Sequence, residues 1–477
     1  MVGVPRSRGC HLCVKRRVKC DERAPGCSKC ETYGQPCPGY DKGFKFIAGK
    51  PYRTRRRPPG TECARSNATS PDSSSSSLSF SSGETKANTQ WMIQSEIPPT
   101  VVSVDMNVLQ TLGALIEDFS SPGVSNAPNY VMASWFELLP SIYGQNRALD
   151  AAIKSFTAHH FGRGFQSQEM TIYARFTYGE ALHWLRKALV SPSESLSSNI
   201  FCAVVLMCMY ELFTDTEDPD SWMKHAKGLG HLVKARGPER YCNQLDISLL
   251  KTARGLIVMH SMFAGEDCFL ASNDWHYMMK QQHVGSLPLD YHNCIEDFFA
   301  HFTRSPRIVH SIYRLRDKNF ADPEVLRDIS EALTQVLDMQ SRLACWYEEW
   351  SRVSFPPVEA PSATGDALYP IILIYADLID ASVYCGYYAY MIIIHEALKL
   401  FGYPGPHETM ISYFRDQICR SIEYAAFGAL GPFRIGFSVR VAIETADDVK
   451  RSWLLDRLQE FSKSYAAAKP ENYKPIE

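Results

Sequence analysis

Six cysteines, Cys10, Cys13, Cys20, Cys27, Cys30 and Cys37, constrain this chain more than any other feature. Their spacing is C-x2-C-x6-C-x6-C-x2-C-x6-C, and a shift of seventeen positions lays the first three on the second three, an internal duplication of ligand spacing. A C-x2-C turn points two thiols at one metal, and tetrahedral zinc takes four ligands. One zinc would leave two of the six thiolates idle, whereas two zincs need eight coordination positions. Six thiolates fill eight positions when two of them bridge. A two-zinc, six-cysteine cluster is therefore the arrangement that uses every residue. A secreted disulfide knot is disfavoured, because the opening residues "MVGVPRSRGC" carry no apolar stretch of the kind that directs secretion.

Charge is divided along the chain in a way that its overall net value of −2 conceals. Residues 1–60 hold 15 Lys and Arg against 4 Asp and Glu, a net of +11, and the remaining residues hold 35 against 48, a net of −13. A small basic head on a large acidic body suggests a polyanionic partner for the head. The positive charge is asymmetric even within the duplication. "VKRRVK" (14–19) follows the first C-x2-C pair and "ETYGQP" (31–36) follows the second, so only the first half carries a cationic helix able to approach DNA. Arginine forks onto the O6 and N7 acceptors of guanine, while lysine supplies point charges to phosphates.

"CHLCVKRRVKCDERAPGCSKCETYGQPC" closely resembles the fungal zinc binuclear cluster DNA-binding domain of transcription factors, over about thirty of the 477 residues. The resemblance implies that Cys10 and Cys27 bridge the two zinc ions. It also implies a short helix after each C-x2-C pair, related by a pseudo-two-fold axis, and a loop proline, here Pro25. The positions it assigns to reading a CGG-type triplet are Arg16 and Arg17, where members commonly carry lysine. Lys15, Lys19, Arg23 and Arg8 are assigned to phosphates, which position the module without reading sequence. The helix N-terminus near Cys13 is expected to aim its dipole at the DNA backbone.

A second basic cluster, "KPYRTRRRPP" (50–59), includes Arg53, Arg55, Arg56 and Arg57 and suits a nuclear import signal or a DNA-binding arm. Residues 61–90 turn serine-rich and low in large apolar side chains, the composition of a disordered linker. No leucine-heptad run follows the cluster in 38–90. The nearest candidate is 105–119, with Val108, Leu109, Leu112, Leu115, Ile116 and Phe119 on one face. It spans about two heptads and reads better as an amphipathic helix facing a bundle.

From about residue 100 the pattern is helical almost throughout. "SEALTQVLDMQSRLACWYEEW" (330–350) repeats apolar residues every three or four positions, and "NIFCAVVLMCMYELF" (199–213) is apolar all round, the mark of a buried helix. The long apolar stretch 369–394 contains Asp377 and Asp380, which favours one or two buried core helices over a membrane span. "EALHWLRKAL", then "MYELF", then "SWMKHAKGLGHLVKARGPER" (221–240), with Trp222, His225 and Arg236-Gly237-Pro238, resembles the fungal-specific transcription factor domain, which is helical and regulatory.

Catalytic signatures are lacking: there is no H-E-x-x-H, G-x-S-x-G, Walker or dinucleotide-binding glycine motif. His225 and His231, six apart, read as structural histidines, and the nine later cysteines read mostly as core thiols.

The sequence thus predicts a mainly α protein in three parts. They are a Zn2Cys6 DNA-binding domain over 1–45, a basic then serine-rich disordered linker over 46–98, and an all-α regulatory domain over 99–477. Its expected role is a nuclear transcription regulator of RNA polymerase II genes, not an enzyme, with two Zn2+ ions and double-stranded DNA as cofactor and partner. A homodimer, transcriptional co-regulators and a small-molecule effector gating the head are compatible further partners, and a membrane is not. A metal-buffering or redox protein is the remaining alternative.

Overall fold

The computed structural model describes residues 10–21, 23, 26–37, 99–120, 135–214, 221–282 and 287–473, with backbone alone at 11, 14, 99–107 and 120. Arg8, Pro25, the basic cluster 50–59, the serine-rich stretch and Cys63 lie outside the described residues. The chain divides into two units, Met1–Trp91 and Met92–Glu477.

In the first unit, two short helices, α1 (His11–Arg16) and α2 (Ser28–Thr32), pack on each other around buried cysteines. Among the described residues, Leu12 is the apolar side chain other than cysteine packed against them. So thin a core leaves folding to be driven by the metal that the thiols bind.

The second unit is a helical array. Its first helix, α3 (Pro99–Ser120), buries Val108, Leu112, Leu115 and Phe119, a stripe at helical spacing, while Leu109 of the expected face is exposed. Phe119 meets Phe136 and Phe156 edge-on at 4.9 and 6.1 Å. After α4 (Leu139–Ile142), the Asn146 side chain caps α5 (Arg147–Gly164) and Ser167 caps α6 (Gln168–Leu189). The turn between α5 and α6 brings backbones so close that a side chain at Gly162 would stand 3.1 Å from the Thr171 amide nitrogen.

Helix α7 (Ser198–Phe213) is buried without a break from Ile200 to Tyr210 and packs on α5, α6, α8 (Ser221–Arg236) and α9 (Gln244–Ala264). Polar knots fix both of its ends. At the N-terminal end, the buried Asp246 accepts from Ser198 Oγ at 2.8 Å and pairs with the buried Arg236 at 2.9 Å, while Gly237 turns the chain at φ 69°. At the other end, Glu211 accepts from the Tyr178 hydroxyl and bonds His225 Nδ1 at 2.8 Å. The Arg-Gly-Pro and His225 elements of the sequence are thus clamps between helices α6 to α9.

The array continues through α10 (Asn273–Gln281), α11 (Leu289–Phe302), α12 (Ser305–Leu315) and the long α13 (Pro323–Val353). Capped by Asp322, α13 buries Ile329, Ala332, Val336, Met339, Leu343, Trp346 and Trp350 at alternating steps of three and four. Glu296 of α11 pairs with Arg254 and Lys251 of α9 inside the core.

Among the described residues the body is helical, as expected, apart from one hairpin. Strands β1 (Val358–Pro361) and β2 (Ile371–Ile374) form an antiparallel hairpin, Val358 opposite Ile374 and Pro361 opposite Ile371. The apolar stretch 369–394 is therefore a strand and a helix. Asp377 separates them by accepting from the Ile379 and Asp380 amides at 2.8 Å, which starts α14 (Leu378–Leu400). Helices α15 (His407–Ala425), α16 (Gly431–Glu444) and α17 (Asp448–Phe461) complete the array. Among the described residues no helix is long and apolar enough to cross a membrane.

Candidate metal centre and nucleic-acid interface

The six cysteines gather into two overlapping groups. Cys10, Cys13, Cys20 and Cys27 form one, and Cys10, Cys27, Cys30 and Cys37 the other, with the sulfurs of each group within 4.8 Å of one another. Cys10 and Cys27 belong to both. The Cys10 sulfur stands 3.7 Å from that of Cys27 and 3.5 Å from that of Cys30, and the Cys13 sulfur stands 3.6 Å from that of Cys27. Four sulfurs held ~2.3 Å from a zinc ion lie about 3.8 Å apart, so the donor set fits tetrahedral zinc. Cys10, Cys13, Cys27 and Cys30 are withdrawn from solvent, and Cys20 and Cys37 partly so. Burial pushes the Cys13 thiol up to about 12 and raises Cys27 and Cys30 as well, so the thiolates that a metal needs form by proton release on binding.

The local fold around these sulfurs repeats at the seventeen-residue shift. In α1 the Val18 amide donates to the Cys13 carbonyl at 3.1 Å, and in α2 the Gln35 amide donates to the Cys30 carbonyl at 3.2 Å. Both are the six-to-one bond of a Schellman stop, which places the residue before the donor in the left-handed region. Those residues are Gly34, at φ 72°, and Arg17, at φ 56°. The second half uses the residue made for that conformation; the first half uses arginine. The helix Ncap of α2 is supplied from outside, by Asp21 Oδ2 accepting from the Ser28 amide at 3.2 Å and its hydroxyl at 2.5 Å, contacts that hold the Asp21 carboxyl below its usual range.

This stop corrects the sequence reading of the basic segment. Of "VKRRVK" only Val14, Lys15 and Arg16 are helical; Arg17 turns the chain and Val18 and Lys19 run off the helix. The N-terminus of α1 lies at His11, not near Cys13, and the Cys13 amide donates to the Cys10 sulfur at 3.4 Å, so the early amides serve the cluster. Lys15, Arg17 and Lys19 are exposed. Arg16 is half-buried, its guanidinium carbon 3.4 Å from the centre of the Tyr33 ring. Arg23, expected at a phosphate, donates to both oxygens of Glu31 at 2.8 and 3.1 Å.

In the body, the described residues form no other group of His, Cys, Asp and Glu arranged to hold a metal. Cys202, Cys208, Cys268, Cys294, Cys385 and Cys419 are buried, as expected of core thiols, whereas Cys242 and Cys345 are exposed. His231 is exposed, and a buried pair escaped sequence reasoning: His395 and His407 meet through their Nδ1 atoms at 3.0 Å. His407 Nε2 donates to the Tyr403 carbonyl at 2.7 Å, and burial holds His395 down at about 4. The aromatic residues of α13 and α14 pack on one another, Tyr347 on Tyr387 at 4.8 Å and Trp346 beside Trp350 at 5.7 Å. A cleft of about 770 Å3 opens between residues 364–368 and α17, where Asp366 already accepts from the Trp453 indole at 2.7 Å.

Comparison with known proteins gives two matches along the chain. Residues 8–45 match the family model described as the fungal Zn(2)-Cys(6) binuclear cluster domain, and residues 117–355 match that of the fungal specific transcription factor domain. An uncharacterized protein of Emericella nidulans is 23% identical over 193 residues, which cover 39% of this chain and 41% of the relative. The chain thus spans about two-fifths of that relative's length. No solved structure matches.

Proposed function

Because the chain belongs to the fungal specific transcription factor family and carries the zinc cluster domain at its head, we propose that it is a zinc-binding, DNA-binding transcription regulator that reads CGG-type triplets in the major groove through Arg16 and Arg17. The observation that carries this reading is the pair of cysteine groups sharing Cys10 and Cys27, set directly beside the run of four cations from Lys15 to Lys19. Bound zinc would supply folding energy to a segment with almost no apolar core. In this reading Cys10 and Cys27 would be shared by the two ions, and each ion would take two of the other four cysteines.

The protein's own residues then do the recognition. Arg16 and Arg17 offer guanidinium forks to guanine edges, and the exposed Lys15 and Lys19 flank them as phosphate contacts. Arg23 already has a carboxylate partner in Glu31, so phosphate binding falls first to the two lysines. Arg53, Arg55, Arg56 and Arg57 belong to nuclear import or to an arm along the DNA backbone, consistent with action in the nucleus on RNA polymerase II genes. The purified full-length chain should contain two zinc ions per polypeptide by metal analysis, and stripping them should abolish DNA binding. A ratio of one would overturn the bridged arrangement.

A further inference from the structure

The seventeen-residue duplication superposes Arg16 on Tyr33, and these two equivalent positions touch across the head. Each closes its own short helix just before the left-handed residue: Arg16 before Arg17, Tyr33 before Gly34. The Arg16 guanidinium carbon lies 3.4 Å from the ring centroid, a face-on cation–π contact. Of the Arg16 side-chain nitrogens, Nη1 is shut from solvent, so the donor pair that does not depend on it is the Nε–Nη2 edge. That edge is one of the two pairs of parallel donors by which arginine forks onto an acceptor pair. Among the described residues no ring covers the neighbouring cations: Lys15, Arg17 and Lys19 are exposed.

We infer that Tyr33 is a positioning residue for base recognition, fixing the plane of the Arg16 guanidinium so that its Nε/Nη2 edge meets a guanine. The inference rests on the proposed reading of DNA by Arg16. It gives the second half of the cluster, which has lost the basic run, a part in specificity as the platform for the reader in the first half. An arginine free in solution samples many rotamers, and ordering it on contact with DNA would weaken discrimination; the stack orders it beforehand. The ring is required and its hydroxyl is not.

The test uses zinc-loaded full-length protein and duplexes in which each base pair of a selected site is replaced in turn. Tyr33→Leu should lower discrimination about three- to tenfold at a single base pair, the same pair that Arg16→Ala affects, and the double variant should lose no more than Arg16→Ala alone. Tyr33→Phe should keep the wild-type pattern. Zinc content and the salt dependence of binding should stay unchanged in all of them. Unaltered or improved discrimination in Tyr33→Leu would overturn the inference, and so would a proportional fall in zinc content and in binding to every sequence, the signature of a structural role. Wild-type protein without any base preference would instead overturn the reading of DNA by Arg16, and the inference with it.

Discussion

Arg17 occupies a backbone position where glycine is the natural choice, as its counterpart Gly34 shows. Holding a non-glycine residue left-handed costs about 1 kcal/mol, and such strain persists where the side chain has a task. Arg17→Gly should therefore hold zinc at least as well as wild type in competition with a chelator, yet lose about 1–3 kcal/mol of discrimination at one G position. Weaker zinc retention would contradict the strain argument. Lys15→Ala makes the complementary case: it should weaken binding to all sequences alike and reduce the slope of log affinity against log salt by about one. A sequence-selective loss would remove Lys15 from the phosphate contacts. Ligand chemistry at this scale was legible beforehand, because metal geometry dictates spacing and spacing survives in a linear sequence. The Arg16–Tyr33 contact was not read, although the same shift that exposed the duplicated cysteines also aligns these two residues. What hid it was the helix stop at Arg17, a backbone event that nothing in "VKRRVK" signals when arginine replaces the expected glycine.

Among elements, periodicity told most where burial is one-sided or complete. The alternating buried stripe of α13 and the unbroken burial of α7 both follow directly from their apolar patterns. The β1–β2 hairpin did not, because a four-residue strand inside a long apolar run has no period of its own to show. Leu109 failed for a related reason: it shares the apolar pattern of α3, but the packed stripe runs through Val108, Leu112, Leu115 and Phe119 and leaves it outside. Asp380 in α14 shows what the apolar stretch conceals. It is buried, accepts from the Tyr291 hydroxyl at 2.7 Å, and burial raises its carboxyl from 3.8 to about 6. A raised folded-state value favours folding of the protonated form. Its contribution is thus present below about 4 and lost as pH rises through about 6. Denaturant titrations across that range should show wild type losing stability relative to Asp380→Asn as pH rises. Parallel curves for the two proteins would contradict the assignment.

For the whole molecule, a basic head of net +11 and an acidic remainder of net −13 divide the charge, and the head's share suits it to a polyanion. The architecture was legible at this scale because the two parts differ in kind: one is specified by six ligands, the other by helical periodicity over some hundreds of residues. The polar knots at Glu211, Asp246 and Glu296 join residues 10 to 48 positions apart in sequence, and no local pattern announces them. The central claim is that this head reads DNA sequence, and selection from random duplexes with zinc-loaded full-length protein tests it most directly. The account predicts enrichment of G-bearing triplets of the CGG type, one or two per site according to whether the protein binds as monomer or dimer. Recovered sequences indistinguishable from the starting pool would contradict it.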